Sequence, residues 1–128
     1  MSRMLGALVA AGLLFQIVLS GEPGPATDIK SVEQALQTPS APMIVDVRSP
    51  EEFNTGHIPK AINIPLAELD GKLHKLEKSR NSTIYLVREV GGRSAAATQK
   101  LLDAGFTAPI NVTGGTRAWR EAKLPLER

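Results

Sequence analysis

The chain reads as an α/β protein built on a parallel sheet with helices on both faces. Three features predict this. Strand-like and helix-like segments alternate from Ser31 onward. Met43–Val47 (MIVDV) and Thr83–Val87 (TIYLV) are apolar, β-branched runs of the kind that form buried strands. The second of them runs directly into Tyr85–Ala97 (YLVREVGGRSAAA), where a glycine loop leads into an alanine-rich helix. In such sheets the ligand crevice lies at the carboxyl ends of the strands, which is where this loop falls. A length of 128 residues leaves room for one domain of about 100 residues and a short appendage.

The elements follow in order. Ser31 caps a short helix, SVEQALQ, with Gln34 completing a capping box. MIVDV is the first buried strand. Ser49, Pro50 and Glu52 then supply the cap, the first position and the third position of a second helix. Ala61–Pro65 (AINIP) alternates like a strand that its proline must end. Leu66, Leu69, Leu73 and Leu76 recur at helical spacing around Gly71, giving two short helices or one broken helix. TIYLV is the clearest strand. Arg93–Ala104 is the clearest helix, with Leu101 and Leu102 facing inward and Gly105 as its stop. Ile110–Val112 forms a last short strand, and Gly114 and Gly115 turn the chain into TRAWREA.

Ahead of these elements, Arg3 precedes an apolar run from Met4 to Leu19 whose only polar member is Gln16. The small and turn-forming residues SGEPGPA follow, which completes the order of an export signal. The run falls short of the about 20 residues that cross a bilayer comfortably, which favours a cleaved signal over an anchor. Ser20 and Ala26 both suit the last position before a cut. Residues 1–26 are therefore read as a signal peptide or N-terminal membrane anchor plus linker, and 27–128 as the folded domain. The expected location is periplasmic or secreted, with membrane contact only through an uncleaved N-terminal segment.

Composition excludes several functions. The net charge is +2, without a run of like charges, and aromatic residues make up 4%. Nucleic acid is not an expected partner, because it needs a concentrated basic face and aromatic stacking platforms. Cysteine is absent, which removes disulfides, thiolate catalysis, iron–sulfur clusters and cysteine-bound zinc together. His57 and His74 lack metal-ligand spacing, so neither metal nor cofactor is expected.

The loop after Val87 has the parts of an anion cradle. Gly91 and Gly92 can turn several amide N–H groups toward one point, and the helix from Arg93 aims the positive end of its dipole there. Arg88 and Arg93 can add charge-assisted hydrogen bonds, whereas Glu89 opposes an anion if it points inward. A plain βα turn with solvated charges is the competing reading.

Context favours the cradle. Val45–Pro65 (VDVRSPEEFNTGHIPKAINIP) closely resembles the first signature of the rhodanese-like sulfurtransferase family, and Gly114–Pro125 (GGTRAWREAKLP) resembles its closing signature. The resemblance covers nearly all the chain from Thr27 and implies a three-layer α/β/α sandwich on a five-stranded parallel sheet. It also implies that Arg88, Glu89, Val90, Gly91, Gly92 and Arg93 form the active-site loop, with a cysteine expected first. That cysteine is Arg88 here. In active members a thiolate accepts a sulfane sulfur from a donor such as thiosulfate and passes it on as a persulfide. A guanidinium is permanently protonated and has no accessible lone pair, so it cannot replace the thiolate. Lys123 is a second departure, standing where the family usually has glycine.

The remaining charged and aromatic residues read as structural. Asp46, Arg48 and Glu52 tie strand, turn and helix together, since a buried charge persists only when paired. His57 makes an ordered hydrogen bond in its turn, Gly114 and Gly115 let the backbone pass close to the loop, and Trp119 belongs to the core. Arg88 has three readings: a ligand-binding residue, a blocking residue salt-bridged to Glu89 or Asp46, or a solvent-facing replacement. The expected function is an exported, catalytically inactive domain that binds a small oxyanion or a protein partner at the Arg88–Arg93 loop. Two alternatives stand beside it. One is a sulfurtransferase that uses a partner's cysteine or a non-covalent mechanism, and the other is a structural module of the cell envelope.

Overall fold

The computed structural model describes residues 25–90 and 96–128. Five parallel strands form one sheet in the order β1-β5-β4-β2-β3: β1 is Ala26–Thr27, β2 Met43–Asp46, β3 Ile62–Asn63, β4 Thr83–Val87 and β5 Ala108–Val112. The central pair is in register along its length, from Met43 opposite Ile84 to Asp46 opposite Val87. The connections are α1 (Ile29–Leu36), α2 (Pro50–Thr55), two 3₁₀ segments (Leu66–Glu68 and Asp70–Ser79), α3 (Ala96–Asp103) and α4 (Gly115–Glu121).

Side-chain alternation along the central strands builds two cores, one on each face. Val45, Ile84 and Leu86 point to one face, where Leu69 between the 3₁₀ segments, Leu76 of the second, and Ala97 and Leu101 of α3 cover them. Ile44, Tyr85 and Val87 point to the other, against Val32 of α1, Ile58 and Trp119 of α4. The three layers follow from this, because strands apolar on both faces need cover on both.

Local chemistry sets the helix ends. The capping box at α2 forms as read: the Ser49 side chain accepts from the Glu52 amide while Glu52 reaches back to the Ser49 amide. At α1 the cap is Asp28, whose carboxylate accepts from the Ser31 N–H at 2.9 Å, so Ser31 lies inside the helix it was read to start. α3 ends in a Schellman turn in which Phe106 N–H bonds Leu101 O, Gly105 N–H bonds Leu102 O, and Gly105 takes φ +91°. Leu101 is buried, but Leu102 is only half-buried.

Other elements differ from the sequence reading. Leu66, Leu73 and Leu76 lie on 3₁₀ segments, the second broken at Lys72, and Leu69 on the turn between them, not on α-helices. The AINIP strand shortens to Ile62–Asn63. β5 begins two residues earlier than Ile110 and contains Pro109. The Asn111 N–H faces β1, donating to Pro25 O at 2.9 Å. Two residues back, Pro109 faces the same edge below the start of β1, where its missing N–H interrupts no ladder.

The fifth strand includes Ala26, assigned to the linker from sequence, which pairs with Asn111. A cut after Ala26 would remove half of β1, whereas a cut after Ser20 would leave it whole. The apolar run and the Ser20 position lie outside the described residues. Among the described residues, no helix is long and apolar enough to cross a membrane.

Candidate functional site

Arg88 follows directly on β4, at the carboxyl end of the sheet's middle strand. Two amides from the first turn of α4 fix its backbone: Thr116 N–H donates to Arg88 O and Arg117 N–H to Glu89 O, each at 2.9 Å. Gly114 and Gly115 lead into that turn. They adopt φ of +87° and +59°, and a Cβ at Gly114 would sit 2.6 Å from the Ala118 Cβ. A side chain at Gly114 would thus be strained in backbone angle and would collide with Ala118 of the same helix.

Behind the loop lies a buried ion pair. Asp46, at the end of β2, is wholly buried, and Arg48 nearly so. Arg48 Nε and Nη2 bind the Asp46 carboxylate at 2.8–3.1 Å, and Nη2 also donates to Gly56 O at 2.8 Å. One side chain thus joins strand, turn and the end of α2. Asn63 closes the arrangement from β3, its Nδ2 donating to Asp46 O and Arg48 O at 3.0 Å. Burial works against the Arg48 charge, but Asp46, Glu89 and Glu52 more than offset it and hold its pKa above the ordinary arginine range.

Arg48 Nη1, the remaining nitrogen, lies 3.2 Å from Glu89 Oε1, while Arg120 Nη1 of α4 lies 3.1 Å from Glu89 Oε2. The hydrogen bond from Arg120 is the main cause that lowers the Glu89 pKa; partial burial opposes it and the Arg48 charge adds to it. The carboxylates of Asp46 and Glu89 thus have Arg48 and Arg120 as partners. The Arg88 side chain is exposed and borders an open cavity of about 280 Å³ with Val47, Arg48, Ser49, Glu52, Leu66 and Glu89. A larger concavity of about 520 Å³ lies at the opposite end of the strands, by Met43 and Thr83, and no charged side chain lines it.

The residues expected to be structural lie as follows. His57 stacks on Phe53 at 3.6 Å between ring centroids, and its Nδ1–H donates to Phe53 O at 2.9 Å. The backbone of His57 also pairs with Glu127. Trp119 is core, and its Nε1–H donates to Pro125 O at 2.7 Å. Lys123 occupies the left-handed position of a Schellman turn ending α4, with φ +59° and Leu124 N–H bonded to Trp119 O. This conformation explains why glycine suits the position. His74 is exposed, and among the described residues no three acidic or histidine side chains gather as a metal site.

Gly91, Gly92 and Arg93, and with them the helix start expected at Arg93, lie outside the described residues. Arg120 and Asn63 were not assigned to the site from sequence. Arg120 is 31 positions from its partner Glu89, and no local pattern announces that contact. The cavity can hold and orient charge, but no thiol stands in it, since the chain has none.

Residues 28–122 match the model of the Rhodanese-like domain. A sulfurtransferase from Allochromatium vinosum is 31% identical over 99 residues, covering 77% of this chain and 91% of its own length. The putative sulfur carrier protein YrkF of Bacillus subtilis is 33% identical over 95 residues, 74% of this chain. The chain spans about half the length of that relative. Among solved structures, a rhodanese-related protein from Thermoplasma volcanium superposes with a TM-score of 0.70 at 31% identity, covering 80% of this chain and 97% of that one. The sheet order, the two cores and the 95-residue match agree, and the chain belongs to the rhodanese-like domain family.

Proposed function

We propose that this domain does not transfer sulfur by itself and works by binding a small oxyanion at the mouth beside Arg88. One observation carries the reading: the position that the family resemblance gives to the sulfur-carrying cysteine holds an arginine, in a chain without any cysteine. Persulfide formation needs a sulfur nucleophile. What remains is a charged mouth that can orient a ligand and stabilise its charge. Arg88 and Arg48 both line the cavity there, and Arg48 is held rigid by Asp46. Export through residues 1–26 belongs to the same reading, and would place the ligand outside the cytoplasm.

Two measurements on the purified chain test it. Thiosulfate-to-cyanide transfer is expected to stay at the level of a heat-killed control; clear turnover would restore the sulfurtransferase reading. Thermal unfolding is expected to rise with sulfate, thiosulfate or phosphate relative to chloride at matched ionic strength. At ten times Kd the gain is about 1.4 kcal/mol, several degrees for a domain of this size. Arg88→Ala should reduce it. If no anion stabilises the wild type, the ligand is a protein partner instead, to be sought by capture on the intact loop.

A further inference from the structure

The Glu89 carboxylate lies between two guanidinium groups, one oxygen toward each. Two arginines set apart by a carboxylate present donors at a spacing that two oxygens of a tetrahedral anion can also use. Arg48 cannot swing away, because Asp46 and Gly56 O hold its other nitrogens. Arg120 is half-exposed on α4, and the Glu89 side chain is one-third exposed. The Glu89 backbone is pinned by Arg117 N–H, yet its carboxylate is tethered only by rotatable side-chain bonds. Arg48 is therefore better fixed than the carboxylate it faces, while Arg120 and Glu89 are both held through flexible side chains.

Local charge sets the ligand class. Among the described residues, Arg48, Arg88 and Arg120 stand against Asp46, Glu52 and Glu89 around the cavity and its rim, so these charges balance while Glu89 is in place. Turning Glu89 out to solvent leaves an excess positive charge. An incoming monoanion merely replaces one single negative charge with another, whereas a dianion adds a second charge to the same donors. A tethered carboxylate also competes at a high effective concentration.

We propose that Glu89 is the resident, displaceable occupant of an anion site bounded by Arg48 and Arg120, and that its ligand is a tetrahedral dianion of the sulfate or thiosulfate kind. This rests on the anion-binding reading above and adds to it a built-in competitor that rejects monoanions. Because hydrogen bonding to Arg120 and the Arg48 charge keep Glu89 ionised, the competitor is present at neutral pH.

Calorimetric titration of the full chain with sulfate, at constant ionic strength in chloride, tests the displacement. Glu89→Gln is expected to bind sulfate about tenfold more tightly than wild type, and Glu89→Ala similarly, which guards against one variant failing to fold. Glu121→Gln makes the same change in net charge on exposed α4 and should stay within about twofold of wild type. Adding Arg120→Gln to Glu89→Gln should cancel most of the gain. The proposal is overturned if neither Glu89 variant binds more tightly, or if Glu121→Gln matches their gain. If wild type binds sulfate, Arg88→Ala weakens it and Glu89→Gln gains nothing, anion binding stands and displacement falls. If neither wild type nor Glu89→Gln binds any dianion, both readings fall.

Discussion

Thr116 N–H donates to Arg88 O at 2.9 Å, so the residue in the family's cysteine position has its backbone held by α4 whatever its side chain is. Chemistry at position 88 can change without changing where the chain runs, because the backbone bond does not involve the side chain.

Arg88→Cys should therefore fold normally, with stability within about 0.5 kcal/mol of wild type, as for an exposed substitution. Thiosulfate-to-cyanide transfer should appear in this variant alone. A folded Arg88→Cys whose thiol titrates with a thiol reagent yet transfers no sulfur would show that more than the nucleophile has been lost.

Arg48→Ala should be severely destabilising. It leaves the wholly buried Asp46 carboxylate without its guanidinium, and breaking a buried pair from one side costs about 3–5 kcal/mol. Urea unfolding measures this. Replacing both residues at once, Asp46→Asn with Arg48→Met, should cost less than Arg48→Ala alone; a larger loss would contradict the unpaired-charge explanation.

Lys123→Gly should stabilise the domain by about 0.5–1 kcal/mol, since a side chain at φ +59° is disfavoured and glycine is not. A higher midpoint in denaturant at unchanged slope is the expected sign. A lower midpoint would mean that the Lys123 side chain contributes more than its backbone costs.

Glu89 should make stability depend on pH in acid. Its folded pKa is lowered, by Arg120 first and against partial burial. Its contribution is thus fully present above the ordinary carboxylate range and is lost as pH falls through the depressed folded value. Wild type should exceed Glu89→Gln in stability near neutrality, and the difference should shrink in acid. A constant difference from neutral pH down into strong acid would remove the ion pairs as its source.

Local features are legible in the residues alone. The Ser49–Glu52 capping box, the two central strands and the glycine stop at Gly105 each depend on a few neighbouring residues, and they appear where they were read. The missing thiol is also a property of sequence alone, because no fold supplies an atom that the chain lacks. Features that depend on distant partners arise only once the chain is packed. Ala26–Thr27 is a strand only because β5 offers an edge, and two residues carry no periodicity of their own. The leucines at Leu66–Leu76 fit a helical period, but the folded chain there forms two 3₁₀ segments either side of Leu69. Glu89 was read as a charge opposing an anion; folding brings it Arg48 and Arg120 from 41 and 31 positions away. Coulomb and hydrogen-bond terms act through space, so the sequence named the charges while the fold chose which of them meet.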